Sequence, residues 1–173
     1  DQICYLPLSE SKYNKRFIVI KTRNWLTSNM FLINNIIKVS NYENIYKDED
    51  YQLNINARKF KILHVSSCFE RKGIDVLLSA FSNSFTDNDD ITLIIKTFVN
   101  PHNKVDQILM ELKEANPLFP HVLVIKDDLT DSQLKGLYLQ SNLLVAPSRG
   151  EGFGLPIGEA MRLGIPVITT GWG

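Results

Sequence analysis

Two carboxylates with seven residues between them, Glu151 and Glu159, stand in a stretch crowded with glycine and proline, SRGEGFGLPIGEAMRLGIPVITTG from Ser148 to Gly171. Gly152 and Gly154 free the backbone to come close to a ligand. A helix opening near Leu155 or Pro156 presents unpaired N–H groups to phosphate or sugar oxygens. Glu159 is expected within about the first turn of that helix, where the macrodipole favours an acid in any case. A carboxylate also accepts two hydroxyls at once, which suits a ribose diol, and Glu151 on the loop can hold sugar hydroxyls in the same way. The spacing is not G-x-G-x-x-G and no Walker lysine follows the glycines, so dinucleotide and P-loop readings rank second.

The other charged group is the ERKG turn, Glu70 to Gly73. A lysine at the start of a helix is disfavoured by the macrodipole by roughly 0.3 to 1 kcal/mol. Lys72 therefore reads either as the ligand of an anion lying between it and the dipole or as a solvated lysine of a surface turn. His64, in the middle of the apolar run KILHVS, reads as a packed core histidine, and His102 in NPHN as a loop residue near the same edge. Asp127 and Asp128 are adjacent and read as the approach to a helix at Thr130; no metal-ligand cluster is expected.

These residues need elements to hold them. From Lys61 onward the chain alternates short apolar runs with stretches of helical spacing. Strands are expected at Lys61 to Ser66, Ile91 to Lys96, His121 to Lys126, Leu143 to Pro147 and Ile165 to Thr170. Helices are expected in GIDVLLSAFSNSF, NKVDQILMELKEA, TDSQLKGLYLQ and LPIGEAMRL, with Asn103 as an N-cap, Thr130 and Gln133 as a capping box, and Pro156 in a first turn. Such alternation implies an α/β fold, a doubly wound parallel sheet covered on both faces with right-handed crossovers. Ligands then bind at the carboxyl ends of the strands. That edge collects ERKG, KTF (Lys96 to Phe98), DDLT and the glycine-rich segment.

The first third is less regular: FIVIK reads as a strand, SNMFLINNIIKVS as helix or strand, and the polar stretch after it as a linker. Residues 1–57 are expected to be a separate N-terminal segment and 58–173 the ligand-binding domain. The chain stops at TTGWG, straight after a strand, so it is expected to be a piece of a longer protein. Nineteen Lys and Arg balance nineteen Asp and Glu, which gives no reason to expect nucleic acid as a partner; an anion must be bound locally. Cys4 and Cys68 have no metal-type spacing, and neither a disulfide framework nor a zinc site is expected. No apolar run approaches the roughly 20 residues of a membrane span and the opening residues are no secretory signal, so a cytoplasmic location is expected.

At this point the chain resembles a known family, the retaining family-four glycosyltransferases of the GT-B fold. EGFGLPIGEAM is similar to their pair of glutamates, followed by the small-residue strand GIPVITT, and FERKGIDVLLSAF is similar to their first strand-helix turn. LIIKTFVNPHN and LYLQSNLLVAPSRGEGFG match in the same order, so the likeness runs from about Phe60 to Gly173. It implies a Rossmann-like C-terminal half of a GT-B protein that binds a nucleotide-diphosphate-sugar, with no cofactor and no metal. By that likeness Glu151 and Lys72 are the catalytic residues. Lys72 contacts the donor diphosphate, Glu151 the transferred sugar, Glu159 the ribose, and the backbone of Gly152, Phe153, Gly154 and Leu155 the diphosphate or sugar oxygens. Many members carry an arginine where this chain has Ser67, and Arg71 is the nearest substitute. The acceptor implied is a glycan or a lipid-linked glycan in polysaccharide synthesis, reached by peripheral contact with a membrane. Two other readings stay open: a donor-binding module inactive alone, and an epimerase or phosphorylase of similar fold.

Overall fold

The computed structural model describes residues 2–4, 19–21 and 53–171. Near the N-terminus β1 (Gln2–Cys4) pairs antiparallel with β2 (Val19–Lys21), which is the end of the expected FIVIK strand. The SNMFLINNIIKVS stretch and the terminal Trp172 and Gly173 lie outside the described residues.

The rest is one strand-helix alternation: β3 (Phe60–Val65), a 3-10 turn at Glu70–Lys72, α1 (Ile74–Ser84), β4 (Ile91–Lys96), α2 (Val105–Ala115), β5 (Val122–Ile125), α3 (Asp131–Leu139), β6 (Leu143–Ala146), α4 (Leu155–Arg162) and β7 (Val167–Thr169). Every expected strand and helix of this region is present: β4 has the expected bounds, β3 is shifted one residue toward the N-terminus, and the others are shorter by one to three residues in all.

The strands form a parallel sheet in the order β5-β4-β3-β6-β7. Both faces are covered, which explains why β4 reads as a continuous apolar run: Ile91 to Ile95 are all buried. Alternate residues serve alternate faces. Ile91, Leu93 and Ile95 pack with Ile74, Leu77, Leu78 and Phe81 of α1 and with Val105 and Leu109 of α2. Leu63, Ile94 and Leu144 pack on the other face with Leu137 and Tyr138 of α3 and Ala160 of α4, where Leu53, Ile55 and Ala57 also lie.

Helix ends follow from local chemistry. The Thr130 and Gln133 capping box forms as expected, with the Gln133 N–H on Thr130 Oγ1 at 3.3 Å and the Thr130 N–H on Gln133 Oε1 at 2.8 Å. The expectation for Asn103 is off by one residue. Lys104 occupies the N-cap of α2, and the Asn103 side chain accepts the Val105 N–H at 3.1 Å from one place earlier. Among the described residues no helix is long and apolar enough to cross a membrane.

The strand order decides where a ligand can sit. From β3 the chain winds outward to β4 and β5, then crosses back to start again at β6 on the other side of β3. The chain therefore leaves β3 and β6 toward opposite faces of the sheet, and the carboxyl edge where it does so is the topological switch point, the crevice at which open α/β sheets bind ligands.

Candidate functional site

Two loops line that crevice, Ser66 to Gly73 after β3 and Pro147 to Gly154 after β6. Gly73, at φ 69°, turns the chain from the 3-10 turn into α1, and a Cβ built there would lie 2.0 Å from the carbonyl oxygen of Pro147. Only glycine permits both the backbone conformation and the contact. Further bonds fasten the loops together: the Arg149 N–H donates to the Arg71 carbonyl at 2.7 Å, and Arg71 Nη1 donates to the Gly150 carbonyl at 3.0 Å. The Arg149 guanidinium grips both Asp75 oxygens, at 2.8 and 2.6 Å, and holds that carboxyl below its usual range. Buried Ser148 sits with its hydroxyl 3.1 Å from the Arg71 carbonyl and 2.8 Å from that of Gly150.

The seam brings Lys72 and Glu151 together as an ion pair, Nζ to Oε2, each side chain largely covered. A small cavity of about 10 Å³ beside the pair is lined by His64, Ser66, Ser148 and Pro156 as well. His64 is 1% exposed. Its Nδ1 faces the Val145 carbonyl at 2.8 Å and its Nε2 the Ser66 hydroxyl at 2.7 Å. A carbonyl only accepts, so Nδ1 carries the proton and Nε2 accepts from Ser66. Burial drives the pKa of the ring down, against the Val145 bond that raises it and with the Lys72 charge that lowers it further. A neutral histidine leaves Lys72 as the cation among the residues that line this small cavity.

Beyond the pair, Gly154 (φ 72°) caps α4, Leu155 is its first residue and Pro156 lies in its first turn, as expected. Gly152 has nothing within 4 Å of where a Cβ would stand, so the loop there faces open space. Glu159 departs from expectation. It lies in the second turn of α4, is 5% exposed, and accepts the Tyr138 hydroxyl at 3.0 Å. The helix opens at Leu155 as expected, so four helical residues precede Glu159; what the sequence did not show is its burial against Tyr138. Its carboxylate is aimed by α3, a helix with no obvious site residue in sequence, and Tyr138 could not have been singled out. Nor could Arg149 and Gly73, although both stand inside the two motifs.

A wider cleft of about 860 Å³ opens on the α1 and α2 side of the same wall, lined by Phe69, Arg71, His102, Lys104, Ile108 and Arg149 among others. Volume alone does not make it the site, because neither Lys72 nor Glu151 lines it. His102 does lie at this edge, its ring edge-on to Phe69 with centroids 5.7 Å apart. Arg71 points along this side and not into the Lys72 pair.

The family model described as glycosyl transferases group 1 matches residues 46–173. The chain belongs to this family. It is 31% identical over 121 residues to the uncharacterized glycosyltransferase 335 of Sulfolobus islandicus rod-shaped virus 1, covering 70% of this chain and 33% of that protein. To the serotype-specific mannosyltransferase WbdA of Escherichia coli it is 34% identical over 99 residues, 57% of this chain and 12% of that one. The chain thus spans a third or less of the length of these curated relatives. Among solved structures it is similar to the C-terminal domain of the group 1 protein LpcC from Francisella tularensis, with a TM-score of 0.55 at 21% identity over 69% of this chain and 66% of that one. Sucrose-phosphate synthase from Thermosynechococcus elongatus gives 0.56 at 22% identity, over 79% of this chain and 33% of that one. The described group 1 domain has the Rossmann-like fold of the C-terminal half of a GT-B glycosyltransferase.

Proposed function

We propose that this chain is the donor-binding half of a retaining hexosyltransferase, which takes a sugar from a nucleotide-diphosphate-sugar and delivers it to a glycan or lipid-linked acceptor. The observation that carries the reading is the meeting of Lys72 and Glu151 at the switch point, beside the start of α4. Breaking the bond between the anomeric carbon and the diphosphate oxygen sends the electron pair to the phosphate. Lys72 and the N–H groups opening α4 stabilise that growing charge more than they stabilise the ground state. Glu151 turns from Lys72 to the hydroxyls of the sugar when the donor arrives, the open backbone at Gly152 and Phe153 admits the sugar and phosphate oxygens, and Glu159 takes the ribose diol. Arg71 supports the phosphates from the flank. The reaction needs no metal in this scheme, and its products are a glycoside of unchanged anomeric configuration and a nucleoside diphosphate. The acceptor belongs to polysaccharide synthesis on the cytoplasmic side of a membrane, touched peripherally.

Calorimetric titration with UDP, GDP, ADP and NAD side by side tests the binding step. One nucleoside diphosphate is expected to bind, and Glu159→Ala is expected to weaken it by about 1 to 3 kcal/mol, the cost of hydrogen bonds to a charged group. Unchanged affinity in that variant overturns the ribose assignment. Product analysis with the matching nucleotide-sugar separates the classes. Transfer yields a glycoside and free nucleotide, epimerisation an altered sugar, and a binding module neither.

A further inference from the structure

KTF, Lys96 to Phe98, stands at the ligand edge of the sheet, and none of the donor contacts above uses it. Phe98 is 46% exposed and Val99 82%, directly after the buried Thr97. Yet the loop that presents them is firmly held. Asn103 Nδ2 donates to Thr97 Oγ1 at 2.9 Å and to the Phe98 carbonyl at 3.0 Å. Asn100 Nδ2 reaches the Phe98 carbonyl and the Ser67 carbonyl, both at 3.2 Å. Each asparagine oxygen takes a backbone N–H in turn, from Val105 and from His102, both at 3.1 Å. Two side chains are thus spent on fixing the backbone of one exposed aromatic residue, and the bond to Ser67 ties it to the segment that leads to Lys72. Strand β4 is the direct neighbour of β3, with Val65 opposite Lys96, and adjacent strands lie about 4.8 Å apart.

We infer that Phe98 is a stacking platform for the nucleobase of the donor, an inference that rests on the donor reading above. A nucleotide with its diphosphate at Lys72 extends its nucleoside along the carboxyl edge, and β4 offers there an exposed aromatic residue on a backbone that is held in place. Every base has a flat apolar face, so such a ring adds affinity without choosing among bases. Another polypeptide is the weaker candidate for this surface. The core of a protein interface is broad and depleted of charge, whereas Phe98 and Val99 are bracketed in the chain by Lys96, Asn100 and His102, with the Lys96 ammonium turned back onto the Thr97 carbonyl at 2.7 Å.

The test is calorimetric titration of the full chain and of Phe98→Ala and Phe98→Tyr with UDP, GDP and ADP, and with inorganic pyrophosphate as the ligand that has no base. Phe98→Ala is expected to lose about tenfold in affinity for whichever nucleoside diphosphate the unaltered chain binds. Phe98→Tyr should stay within about twofold, and pyrophosphate affinity should not change. Equal nucleotide affinity in Phe98→Ala overturns the inference and leaves the donor reading standing. So does an equal loss for pyrophosphate, since stacking cannot act on a ligand without a ring. An unaltered chain that binds none of the nucleotides overturns the donor reading, and this inference with it.

Discussion

Lys72 and Glu151 are each other's ion-pair partners, and this has a measurable consequence at the scale of single residues. A bare nucleoside diphosphate carries no sugar for Glu151 to hold, so for that ligand the glutamate is only a competitor for Lys72. Glu151→Gln should bind the diphosphate about two- to fivefold more tightly, the range of a partly exposed ion pair, while Lys72→Ala should bind it more weakly and lose far less for the bare nucleoside. Titration of both variants checks this, and weaker binding in Glu151→Gln would show that the glutamate does not compete with the diphosphate for Lys72. His64 supplies a second residue-scale expectation. Its folded pKa lies below the unfolded value of about 6.5, so the unfolded chain takes up a proton first as pH falls. Stability is full above that pH and declines below it until the folded ring also titrates, by up to about 1.4 kcal/mol per pH unit for one group. Urea midpoints at pH 7.5 and 5.5 should therefore differ more for the unaltered chain than for His64→Gln. His121, also depressed, by burial and then by Arg58, contributes equally to both chains and cancels in the comparison.

Elements carry the next constraint, because the crevice exists only while the loops after β3 and β6 stay in contact. Gly73 lies against the Pro147 carbonyl. Gly73→Ala would put a methyl into the Pro147 carbonyl at a positive φ, which is expected to destabilise the chain by about 2 to 3 kcal/mol. A denaturant midpoint unchanged from the unaltered protein would show that the seam yields easily. The alternation that builds these elements was legible, since apolar runs such as ITLIIK and the Thr130 box are local signals. What was not legible is what depends on pairing across the sheet. Lys72 and Glu151 are 79 residues apart, and only the adjacency of β3 and β6 makes them partners. Glu159 shows the other limit: its helix opens at Leu155 as the sequence implied, but its burial and its bond from Tyr138 depend on α3 packing beside α4, which no local signal shows.

For the molecule as a whole, the candidate site draws on both windings of the sheet. Lys72 belongs to the half that runs outward through β4 and β5, and Glu151 and Glu159 to the half that runs through β6 and β7. A ligand that needs all three binds only when both halves are joined, so it has no affinity for unfolded or half-unfolded chain. Full mass-action stabilisation follows, about 2.7 kcal/mol at a nucleotide concentration 100 times Kd. For a domain of this size that corresponds to a rise in Tm of roughly 5 to 10 °C. A thermal scan with and without saturating nucleoside diphosphate reads it directly, and Lys72→Ala at the same concentration should show a smaller rise. Binding by calorimetry with no rise in Tm would mean that the unfolded chain binds the ligand about as well, and the assignment of a site built by joining β3 and β6 would fall.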